Sequence, residues 1–99
     1  MKTLAALRAS LGATAPPPDL GPALEALWWQ ARGDWDAAHR CVQGNEGEAE
    51  CDWVHAHLHR QEGDLDNAGY WYRRAGRPVS TASLDQEWDE IASALLLRP

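Results

Sequence analysis

Apolar side chains along this chain return every three or four positions in six stretches separated by glycine and proline, and no stretch alternates with period two. The pattern predicts helices and no sheet. Leu4, Leu7 and Leu11 mark a short amphipathic helix over 3–11, closed by Gly12. Pro16-Pro17-Pro18 and Gly21-Pro22 fix φ and remove backbone donors, which predicts an extended linker after it. Pro22 suits the first position of a second helix, whose stripe is Leu24, Leu27, Trp28 and Ala31 and whose end is Gly33. Asp34 caps a third, Trp35 to Gln43, with Trp35, Ala38, Cys41 and Val42 inward. Beyond Gly44-Asn45-Glu46-Gly47, Glu48 to Glu62 carries Cys51, Val54 and Leu58 on one face and stops at Gly63. Asp64 caps a helix with Leu65, Ala68, Trp71, Tyr72 and Ala75 inward, terminated by Gly76 and Pro78. Ser83 with Gln86 forms a capping box for a last helix with Leu84, Trp88, Ile91 and Leu95 at helical spacing.

Two of the turns repeat. Gly33-Asp34-Trp35-Asp36-Ala37-Ala38 and Gly63-Asp64-Leu65-Asp66-Asn67-Ala68 stand thirty residues apart, each between two expected helices. Gly accepts the positive φ that ends one helix, Asp caps the next, the large residue wedges into the hairpin and Ala allows close approach. Over about Leu24 to Pro78 this G-D-x-D-x-A turn resembles the tetratricopeptide repeat, although the thirty-residue spacing is shorter than that family's period and its small-residue pair is replaced by Glu25-Ala26 and His55-Ala56. A narrower resemblance runs through Trp53-Val54-His55-Ala56-His57-Leu58-His59-Arg60 and Tyr70-Trp71-Tyr72-Arg73-Arg74-Ala75-Gly76, which is similar to a motif of small bacterial proteins and brings no activity with it. The expected architecture is therefore all-α, with five to six helices. Residues 1–21 form a short N-terminal helix and Pro-rich linker. Residues 22–99 form a domain of two stacked hairpins, which the resemblance makes tetratricopeptide-like, with a C-terminal capping helix.

Composition narrows the partners. With 44% hydrophobic and 24% charged residues the chain can fold around one modest core. A net charge of -6 argues against the phosphate backbone of nucleic acid and against an anionic membrane surface, and no apolar run approaches the roughly 20 residues of a membrane span. Cys41 and Cys51 match no disulfide or zinc-ribbon spacing, which points to reduced thiols and a soluble, cytoplasmic protein. Six Trp with no Phe must serve as core, interface or binding surface.

Candidate chemistry gathers on two adjacent helices. Cys51, His55 and His59 fall at i, i+4 and i+8 on one strip, which makes them candidate metal ligands, though a fourth ligand must come from elsewhere. The same histidines could instead hydrogen-bond a neighbouring helix, and His57 points to the other side as a core residue. Tyr70, Trp71, Tyr72, Arg73 and Arg74 place rings and guanidinium groups within little more than one turn, leaving Tyr70, Arg73 and Arg74 to face an acidic group or small anion. Asp85, Glu87, Asp89 and Glu90 read as the solvated face of the last helix.

No Ser/His/Asp or Cys/His arrangement and no phosphate-cradling loop supports an enzyme, and no cofactor is called for. The first functional expectation is a protein-interaction module that holds a protein or peptide partner through His55, His59, Asn67, Tyr70, Arg73 and Arg74. The alternative is a small-ligand or metal site between the 48–62 and 65–75 helices.

Overall fold

The computed structural model describes residues 3–97, which form six helices and, among those residues, no strand. They are α1 (Leu4–Ser10), α2 (Pro22–Ala31), α3 (Trp35–Gln43), α4 (Ala49–Gln61), α5 (Leu65–Ala75) and α6 (Leu84–Leu96). Local chemistry sets their ends. The side chains of Thr3, Asp34, Asp64 and Ser83 each accept a backbone N–H from the first turn of the following helix, and Ser83 with Gln86 completes a reciprocal capping box. Pro22 starts α2 without a side-chain cap.

Gly33 and Gly63, at φ of 84° and 87°, turn the chain between α2 and α3 and between α4 and α5, so each pair folds back as a tight hairpin. The hairpins pack through α3 and α2 against α4, which becomes the centre of the molecule. Every residue from Cys51 to His59 is buried. Leu27, Trp28, Val54, Leu58 and Ile91 have no exposed surface, and each contributes about 1.5–3 kcal/mol by leaving water.

Helix α6 lies across α4 and α2, where Trp88 donates its indole N–H to the Leu27 carbonyl at 3.0 Å, and it carries α1 on its flank. Leu7 of α1 is completely buried and joins the common core, while Arg8 pairs with Asp89 of α6. Arg32, just past α2, donates to the Leu11 carbonyl at 2.8 Å and so pins the segment after α1. The radius of gyration, 12.3 Å, is close to the ~13 Å expected of one compact domain this long. No helix among the described residues is long and apolar enough to cross a membrane.

Leu65 and Glu87 depart from their expected burial. Leu65, matched to Trp35 by the repeat, is 66% exposed. Trp35 packs on α4 and donates its indole N–H to the Leu58 carbonyl at 2.9 Å, whereas α5 has no following hairpin to receive Leu65. Glu87, assigned to a solvated face, is 1% exposed. Its carboxylate accepts from His57 Nδ1 at 2.6 Å, from Arg60 Nη1 at 2.9 Å and from the Tyr72 hydroxyl. Burial by itself raises the Glu87 pKa, but the bonds from His57, Tyr72 and Arg60 outweigh it and hold the acid below its ordinary value. Burial and the same bond push the Tyr72 hydroxyl up. His57 is completed on its other side by Gln30 Nε2, 2.8 Å from its Nε2.

Candidate metal centre

Three imidazoles meet where α3, α4 and α5 come together. His55 and His59 lie one turn apart on α4, with ring centroids 4.9 Å apart, and His39 reaches them from α3. His39 Nε2 and His55 Nε2 are 3.0 Å apart, and one ligand atom from each of the three residues falls within 4.8 Å of the others. A tetrahedral zinc with bonds of 2.0–2.1 Å holds nitrogens about 3.4 Å apart, so small ring movements would seat one.

Aromatic neighbours fix the ring planes. Trp35 stacks on His39 at 4.8 Å with 9° between planes, and Trp71 stacks on His55 at 3.9 Å with 15°. Trp35 stands four residues before His39 on α3, and its anchored indole N–H leaves the ring little freedom. Glu62 Oε2 lies 3.6 Å from His59 Nδ1, the position of a carboxylate behind a ligating histidine. Asn67 Nδ2 lies 3.4 Å from His59 Nε2.

The electrostatics favour neutral rings at His55 and His39. Burial lowers the His55 pKa to about 3, helped by the neighbouring His39, His59 and Arg74. Burial and His59 also lower that of His39, with Glu62, Glu46 and Asp36 opposing. A neutral imidazole keeps the lone pair that a metal needs. The Nδ1 atoms of His55 and His59 are buried without a hydrogen-bond partner, which marks the cluster as short of polar partners. His39 and Asn67 are half-buried, so the site opens to the surface on their side.

Not all the expected residues converge. His55, His59 and Asn67 do. Cys51 does not: its thiol turns to Glu48 Oε2 at 3.6 Å, and burial with that carboxylate pushes its pKa up to about 12. The drift of 40° for every four residues carries a strip at i, i+4 and i+8 around the helix, which takes Cys51 off the face His59 shares with α3. Cys41 is likewise protonated, burial and Glu25 pushing it up to about 12. Tyr70 is 44% exposed, edge-on to Trp71, and Arg74 lies over both rings with Nη1 3.2 Å from the Tyr70 hydroxyl and Nε 4.0 Å from Asp52. Arg73 is exposed on α5.

His39 escaped the sequence reading, since only the packing of α3 on α4 brings it to the other two; its one signal was the Trp35-x-x-x-His39 pair on an apolar face. Another possible ligand group, His59 with Glu62 and Asp64, is exposed at its carboxylates, and Asp64 is already the cap of α5. Two clefts lie elsewhere. One of about 290 Å³ is lined by Trp53, Arg77, Val79 and Glu90 above the engaged Glu87, and one of about 450 Å³ by Arg8, Gln30, Gln61 and Trp88. Neither contains any of the three clustered histidines. No protein-family model matches the chain, and neither the curated proteins nor the solved structures give a match.

Proposed function

We propose that this protein binds a divalent transition metal of the zinc class, with His39, His55 and His59 as its ligands. The supporting observation is the convergence of three imidazoles from two helices behind stacked indoles. Imidazole is a borderline ligand suited to Zn, Cu, Ni and Co, and unsuited to Mg or Ca. Two free, protonated cysteines support placing the protein in the reducing cytoplasm. The hairpins are read as a divergent tetratricopeptide-like pair, supported by the two Gly-Asp turns.

Zinc competition against a chromophoric chelator tests the assignment. The intact chain should take up one equivalent, and His39→Ala should bind at least ~100-fold more weakly while keeping its helical circular dichroism. Equal affinity in the variant would remove His39 from the site and with it the proposal.

A second reading is carried by Tyr70 and Arg74, an exposed ring with a guanidinium over it at 5.8 Å. This pair suits a carboxylate of a protein or peptide partner. A pull-down with the Tyr70→Ala, Arg74→Ala double variant tests it: capture of the same partner as by the unaltered chain sinks this reading.

A further inference from the structure

We propose that the metal at His39, His55 and His59 keeps one coordination position for an exogenous oxygen ligand, a water, a hydroxide or a small carboxylate, and that Asn67 is the hydrogen-bond partner of that ligand. The inference rests on the metal reading and adds what the centre is for: a site that receives a ligand, and not a structural staple.

The protein offers three nitrogens, and the acids and thiols around them are turned to other partners or, for Glu62, to the far ring nitrogen of His59. The Cys41 and Cys51 thiols face Glu25 and Glu48. Glu62 stands at the Nδ1 side of His59, away from the Nε2 that Asn67 approaches. Asp64 accepts the Asn67 backbone N–H at the start of α5. Asp52 accepts the Gly47 N–H and lies beside Arg74. The indole N–H of Trp35 is spent on the Leu58 carbonyl. Three histidines with one open position is the donor set of zinc sites that bind substrate or water, whereas structural zinc sites are closed by four protein ligands.

Asn67 is placed to serve the open position. Its amide is 3.4 Å from His59 Nε2 and 3.4 Å from the Asp64 carboxylate, which orients it. When the metal is bound through His59 Nε2, the ring nitrogen that Asn67 faces, the amide N–H loses that acceptor and is left beside the metal, where an oxygen ligand can accept it. The approach is open, because His39 and Asn67 are both half-buried at the surface. Neutral imidazole ligands bring no negative charge to a divalent ion, which favours an anionic oxygen as the fourth ligand.

The test uses the full chain loaded with one equivalent of Co²⁺, whose visible absorption reports coordination. Azide and acetate are titrated into the unaltered protein, Asn67→Ala and Asn67→Asp, with circular dichroism to confirm that each is folded. The expected result is a saturable spectral change with both anions in the unaltered protein. In Asn67→Asp, where the new carboxylate occupies the position, the change should require at least ~10-fold more anion. Co²⁺ bound with a spectrum indifferent to both anions overturns this inference and leaves the metal reading standing. Folded Asn67→Ala that no longer binds Co²⁺ also overturns it, because Asn67 would then be a ligand in a closed site. Failure of the unaltered chain to bind Co²⁺ overturns both.

Discussion

His57 Nδ1 lies 2.6 Å from Glu87 Oε1, joining α4 to α6 where neither side chain is reached by water. Arg60 and Tyr72 complete the carboxylate, and Arg60 also donates to the Ala82 carbonyl, so a single acid holds α4, α5, α6 and the segment leading into α6. Removing one member of such a set strands the others in a medium that cannot solvate them.

Glu87→Ala should therefore cost about 3–5 kcal/mol in urea unfolding, and Glu87→Gln, which keeps shape and one acceptor, should cost less. A loss under 1 kcal/mol for the alanine variant would show that the network is dispensable.

The same acid predicts a pH dependence. The folded protein holds Glu87 below the ordinary value of 4.5, so the unfolded chain binds the proton more readily. Its contribution is fully present above about pH 4.5 and is lost as pH falls through the lower folded value. The stability gap between the unaltered protein and Glu87→Gln should be constant near neutrality and narrow below pH 4.5. A gap that widens on acidification would contradict the sign.

Metal uptake should stiffen the whole domain, because His39 and the pair on α4 belong to different hairpins. At free zinc of 100 times its dissociation constant the gain is about 2.7 kcal/mol, equivalent to roughly 10–20 °C in melting temperature for a domain of this size. Scanning calorimetry with zinc and with chelator measures it. Cys51→Ala should retain the whole shift, since its thiol lies outside the cluster, and His39→Ala should lose it.

At the turn between α4 and α5, Gly63 sits at φ 87° with open space where a side chain would go. Gly63→Ala should cost about 1–2 kcal/mol from backbone conformation alone. Leu65→Lys, two residues on, should change stability by less than about 0.5 kcal/mol. A loss of about 1–2 kcal/mol for Leu65→Lys would mean that Leu65 wedges into the hairpin as the sequence suggested.

The hairpins were legible because their signals are local: a glycine at positive φ and an aspartate cap can be read within four residues. Glu87 shares the stripe of Ile91 and Leu95, at i, i+4 and i+8, but its charge points to solvent while its register points inward. The partners that make its burial tolerable lie on α4 and α5, far away in sequence. His55, His59 and Asn67 could be gathered from α4 and its turn into α5. His39 could not, since its place depends on how one hairpin rests on the other.

Helix α4 also bears on how this sequence can change. A helix at the surface has a tolerant side, so substitutions along it are accepted or rejected with the rhythm of its turns. Between Cys51 and His59 no residue has a solvent side, because α2, α3, α5 and α6 enclose the helix from all directions. Neutral drift there should show an unbroken block of constraint in place of a three-to-four-residue beat. Structural and ligating positions would be equally intolerant within it, so patterns of variation alone would not pick His55 and His59 out from Val54 and Leu58.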